Sequence, residues 1–134
     1  MPVDPSRLHE LPLLEGLEEA ELEQIAESAE LRTARPGDVL AREGASGYTF
    51  FAILDGTVDV DRGGELLETL GPGDFFGEMA IVGEGRRNAT VTAASEVELV
   101  VLFGTEFRTL EDNHPEAAER IRRKVAERIE RARR

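Results

Sequence analysis

Between Pro36 and Phe103, eleven glycines (Gly37, Gly44, Gly47, Gly56, Gly63, Gly64, Gly71, Gly73, Gly77, Gly83 and Gly85) cut the chain into short apolar stretches. Such spacing opposes helix, because glycine costs about 1 kcal/mol in a helix interior. It suits strands closed by turns. Strands are predicted at Val39 to Arg42, Thr49 to Leu54, Thr57 to Asp61, Leu66 to Leu70, Ala89 to Ala93 and Val97 to Phe103. Val58 and Val60 alternate with Asp59 and Asp61, the period of a strand with one wet face. Asp55-Gly56 and Gly63-Gly64 are hairpin-type turns. So many short strands leave exposed edges unless the sheet closes, so a β-roll or jelly-roll barrel is predicted over 36–104.

The flanks change texture. Leu17, Ala20, Leu22, Ile25, Ala26 and Ala29 fall near a helical period, which predicts an amphipathic helix from about Leu17 to Leu31 inside an N-terminal helical segment at 10–35. Thr105 to Asp112 reads as a short helix, and Pro115 sits where a first-turn proline starts another. Ala118, Ile121, Val125, Ile129 and Ala132 make one apolar stripe on that last helix. Its charges are predicted to pair at i, i+4 as Glu116 with Arg120, Glu119 with Arg123, Glu127 with Arg131 and Glu130 with Arg134. Phe50, Phe51, Phe75, Phe76, Phe103 and Phe107 are expected in the core. The fold class is therefore mainly β with flanking helices (α+β): a roll with an N-terminal helix and two C-terminal helices at 105–134, one domain over all 134 residues.

Charge and composition narrow the function. The net charge of −12 argues against a protein that wraps duplex nucleic acid or binds anionic membrane broadly. It is unevenly spread: residues 120–134 carry +6, leaving −18 on the first 119. Without cysteine there is no thiol chemistry or cysteine-held zinc, and His9 and His114 are too far apart in sequence for a metal motif. No metal or cofactor is expected. No basic leader precedes an apolar run and no apolar stretch approaches 18 residues, which predicts a soluble cytoplasmic protein with no membrane segment.

The segment Phe76-Gly77-Glu78-Met79-Ala80-Ile81-Val82-Gly83-Glu84-Gly85-Arg86-Arg87-Asn88-Ala89-Thr90-Val91 carries the chemistry. Gly77 permits close backbone approach, and Glu78 to Val82, which include Met79 and Ala80, can form one turn whose free amides receive an anion. Gly83 and Gly85 bring the chain back, so that Arg87 can return beside Glu78. A guanidinium fork fits phosphate oxygens and a carboxylate accepts from a sugar hydroxyl. Together they describe a site for a ribose phosphate. The other physical reading is a structural Glu78–Arg87 ion pair with no ligand.

This segment resembles the phosphate-binding cassette of the cyclic nucleotide-binding domain family, whose hallmark is FGE, a small apolar turn, then RxA(T/S)V. Gly71-Pro72-Gly73-Asp74-Phe75-Phe76, Pro36-Gly37-Asp38-Val39 and Ile53-Leu54-Asp55-Gly56-Thr57-Val58 are similar to that family's other landmarks. The resemblance spans about residues 10–130. It implies that Glu78 accepts from the ribose 2′-hydroxyl, that Arg87 pairs with the cyclic phosphate, and that Gly77 and Ala89 offer backbone contacts. Asn88 replaces the threonine common in members that favour cGMP, which points to cAMP ahead of cGMP. A C-terminal helix closes over the base in this family, which makes Arg128, beside the apolar stripe, the candidate to meet the purine. The implied function is a non-enzymatic cAMP sensor whose C-terminal helix moves on binding, with a homodimer or an effector engaged through the C-terminal helices. The alternative is a degenerate, ligand-free member acting as an interaction or dimerisation module. Related transcription regulators add a helix-turn-helix after the long helix, and with the sequence ending at Arg134 no DNA-binding module is expected.

Overall fold

The roll and its helices are seen in a computed structural model that describes residues 3–42, 49–77 and 89–132. Helix α1 is Pro5–Leu8, a 3₁₀ turn covers Pro12–Leu14, and α2 is Glu19–Ser28. Strands β1 to β8 are Glu30–Ala34, Val39–Ala41, Thr49–Asp55, Val58–Arg62, Glu65–Leu70, Phe75–Phe76, Thr90–Ala93 and Val97–Phe103; α3 is Gly104–Asn113 and α4 is Pro115–Ala132. The strands form two antiparallel sheets ordered β1-β8-β3-β6 and β2-β7-β4-β5.

Consecutive apolar residues in β3 and β8 dictate the layering, because alternate residues of a strand face opposite sides. Phe51, Ile53, Leu99 and Val101 are buried against the second sheet, whereas Phe50, Ala52, Val100 and Leu102 are buried with the helices. The first sheet is thus the middle of three layers. Phe107 and Leu110 of α3 and Ala118, Ile121 and Val125 of α4 close the helical side, as the apolar stripe predicts.

Two N-terminal expectations are corrected. The helix predicted to run to Leu31 ends at Ser28, and 30–34 of the expected helical segment is β1, paired with β8 from Glu30↔Val101 to Ala34↔Val97. A capping box between Glu18 and Glu21 starts α2, and Ala29, at ψ 161°, turns the chain to extended form. Phe103 departs from the predicted core: as the last residue of β8 it is 38% exposed, while the other five phenylalanines are buried.

The predicted hairpin at Asp55-Gly56 is corrected too: β3 and β4 lie in different sheets, so the turn at Gly56 carries the chain from one sheet to the other, and it yields a stability prediction. Gly56 has φ +89°, and a Cβ there would lie 2.2 Å from the Glu96 carbonyl oxygen and 2.9 Å from Val97 Cα, both backbone atoms. Gly56→Ala therefore adds a left-handed penalty of roughly 1–2 kcal/mol to a backbone clash. We expect a loss of about 2 kcal/mol in a urea titration; an unchanged midpoint would contradict the turn geometry.

Candidate functional site

The two ends of the cassette are held by the same device. Gly71-Pro72-Gly73-Asp74 and Arg35-Pro36-Gly37-Asp38 both place glycine at positive φ, +91° at Gly73 and +93° at Gly37, after a proline, as a type II turn requires. In each, the aspartate side chain accepts from the amide three residues back, Gly71 to Asp74 and Arg35 to Asp38, both at 2.9 Å. The first turn is clamped to β3 (Gly73 N to Ile53 O 2.8 Å, Ile53 N to Asp74 O 2.9 Å) and the second to β7 (Gly37 N to Ala93 O 2.8 Å, Ala93 N to Asp38 O 2.9 Å). One clamp thus holds the strand approach to the cassette and the other holds the strand that leaves it.

Between the clamps, β6 pairs Phe76 with Phe51, whose rings stack 4.7 Å apart at 12°. β6 escapes periodicity arguments because it is two residues long. Gly77 follows with φ +78°, a left-handed conformation that suits glycine and redirects the chain out of β6. At the other end Ala89 is buried and leads into β7. Of the predicted site residues, Gly77 and Ala89 therefore stand at the two edges of the segment 78–88. Glu78, Met79, Ala80, Arg87 and Asn88 lie outside the described residues.

Arg128 is the remaining candidate, and α4 brings it to the root of the cassette. Its guanidinium lies 4.8 Å from the Phe75 ring centroid, donates to the Phe75 carbonyl, and stands 3.8 Å from Glu68 Oε1 on β5. A charge-assisted hydrogen bond and a cation–π contact together orient that plane. Lys124 and Arg120, one and two turns earlier, also donate to main-chain carbonyls: Arg120 to Gly16 at 3.2 Å, and Lys124 to Pro12 and Glu15 at 2.9 Å each. Of the predicted i, i+4 pairs, Glu119–Arg123 is seen at 4.0 Å. Arg120 serves the N-terminal carbonyl, and Arg122 pairs with Glu111 of α3. The stripe Arg120, Lys124, Arg128 thus fastens α4 across the N-terminal segment and the roll.

Glu68 was missed by the sequence reading. Its signal is its parity with Leu70, which places both on one face of β5 opposite Val60 and Val58. Among the described residues no cluster of His, Asp or Glu could hold a metal ion. Nor is any helix among them long and apolar enough to cross a membrane.

Comparison with known proteins agrees with this geometry. The family model described as cyclic nucleotide-binding domain matches residues 31–114. The chain is 40% identical over 118 residues to a cyclic nucleotide-gated potassium channel of Rhizobium etli, covering 88% of this chain and 33% of the channel. It is 34% identical over 103 residues to a cAMP-dependent protein kinase regulatory subunit of Hypocrea atroviridis, covering 77% of this chain and 22% of the subunit. The solved catabolite activator protein of Thermus thermophilus superposes with a TM-score of 0.79 at 30% identity, over 90% of this chain and 59% of that one. The chain spans a third or less of the length of these two curated relatives.

Proposed function

This chain belongs to the cyclic nucleotide-binding domain family, and from that premise we propose that it is a non-enzymatic, cytoplasmic sensor of cAMP. Glu78 accepts from the ribose 2′-hydroxyl, Arg87 pairs with the cyclic phosphate, and the backbone at Gly77, Met79, Ala80 and Ala89 surrounds the phosphate. Asn88 stands where threonine favours guanine, and Arg128 meets the purine from the lid helix. The observation that carries this reading is the FGE…RNATV cassette, whose two ends are clamped by matching turns to β3 and β7.

The same reading makes α4 the reporter. A ligand shifts a conformational equilibrium only through differential contacts with its two states, and α4 already touches the cassette's root through Arg128. Binding repositions α4, and the C-terminal helices present the result to a second copy of the chain or to an effector.

A thermal melt tests the proposal. Nucleotide at about 100 times its dissociation constant stabilises the folded state by about 2.7 kcal/mol. For a domain of this size that raises the Tm by roughly 10 °C. We expect this with cAMP and, at higher concentration, with cGMP. A Tm unmoved by millimolar amounts of either would overturn it in favour of a ligand-free module.

A further inference from the structure

Among the described residues the two most exposed large apolar side chains are neighbours, Leu66 at 59% and Leu67 at 48%. A β-bulge sets them together. Val60 pairs with Glu68, but the next residue, Asp61, pairs with Leu66, so Leu67 is the extra residue and both leucines oppose Asp61. Val60 packs toward the core between the sheets, which puts Asp61 and its partner Leu66 on the outer face. β5 is also an edge strand of its sheet. The outcome is an apolar knob on an open edge, on a hairpin that carries the carboxylates of Asp59, Asp61, Glu65 and Glu68. Exposed apolar surface on a strand edge is a contact site or an aggregation liability.

We propose that this knob is an interface that receives the basic end of α4 from a second copy of the chain. Charge selects the occupant. The hairpin's carboxylates outnumber its one cation, Arg62, so two knobs set face to face would repel. Residues 120–134 carry +6 and are the strongly basic stretch of the sequence. Position makes the pairing close on itself. Along α4, Arg120 reaches Gly16, Lys124 reaches Pro12 and Glu15, and Arg128 reaches Phe75 and Glu68, so the helix runs toward β5. Residues 129–132 carry its backbone on by about 6 Å. Knob and basic end thus lie at the same end of the molecule. A two-fold axis there sets each knob against the other copy's helix, one contact made twice in a closed dimer. No nucleotide takes part in this contact, so it stands or falls apart from the cyclic nucleotide reading.

Sedimentation velocity of the whole chain, as wild type and as the double variant Leu66→Thr, Leu67→Thr, tests the interface. Both positions are exposed and threonine suits a strand, so the variant should keep the wild-type melting temperature. Wild type is expected to pass from monomer to dimer as its concentration rises to millimolar. The double variant should weaken the dimer by about ten-fold or more, since each leucine is buried in both copies of the contact. The chain has no cysteine, so single cysteines report the geometry. Leu67→Cys mixed with Ala132→Cys should give a disulfide-linked pair, and Leu67→Cys alone should not. A wild type that stays monomeric at millimolar concentration overturns the proposal, as does a dimer that the double variant leaves unchanged. Efficient cross-linking of Leu67→Cys to itself overturns the choice of occupant.

Discussion

Arg87→Ala is expected to weaken cAMP binding by 10- to 100-fold or more, with little change in the melting temperature of the ligand-free protein. Charge-assisted hydrogen bonds contribute about 1.5–3 kcal/mol each, and each 1.4 kcal/mol is a factor of ten in affinity. The background field sharpens the expectation. The first 119 residues carry −18, so a nucleotide phosphate approaches a strongly acidic body and must be neutralised locally. Arg87→Lys should recover part of the loss, since an ammonium keeps the charge and forfeits the two-pronged geometry. The measurement is dialysis against labelled cAMP. Equal affinity in Arg87→Ala and wild type would contradict the assigned role.

Phe107→Ala carries the largest expected effect on stability. Phe107 is 2% exposed, sits in the core between helices and middle sheet, and has the Arg122 guanidinium 5.5 Å from its ring centroid. Truncating a buried phenylalanine costs roughly 3–5 kcal/mol, from lost transfer energy and the cavity left behind. In a domain whose total stability is about 5–15 kcal/mol that is a large fraction. The Tm should fall by roughly 10–15 °C. Phe103→Ala supplies the contrast, because Phe103 is 38% exposed at the end of β8 and should cost no more than a few degrees. Similar losses for the two variants would contradict the layering of the fold.

These two residues also mark what could be read from the sequence. The roll was legible because its glycines are local signals: each of the six predicted strands is present, with no end moved by more than one residue. The stripe on α4 was equally plain, since Ala118, Ile121 and Val125 are buried at helical spacing. Strand β1 was hidden because Leu31 and Ala34 are its sole apolar side chains, and they face different cores. β6 was hidden by its length. Phe103 misled because residue type alone does not register that a strand has reached the surface.

For the site, the cassette and its glycine were legible as a motif, and the two Pro-Gly-Asp landmarks were visible as words without a role. Their role emerges in three dimensions, where each turn hydrogen-bonds to a different strand at an end of the cassette. The carbonyl partners of the basic stripe were hidden for a related reason. Arg120, Lys124 and Arg128 donate to main-chain carbonyls from segments 53 to 112 residues away in sequence. Carbonyl acceptors carry no side-chain signature, so local charge pairing was the visible alternative. Glu68 was passed over because one glutamate among 28 acidic residues gains meaning only from its strand face and from Arg128.

Titration calorimetry of the wild-type chain with cAMP tests the central claim most directly. The account predicts saturable heat with one nucleotide bound per chain, abolished or shifted to far higher concentration by Arg87→Ala. An absence of saturable heat at millimolar cAMP, with the protein folded, would contradict it.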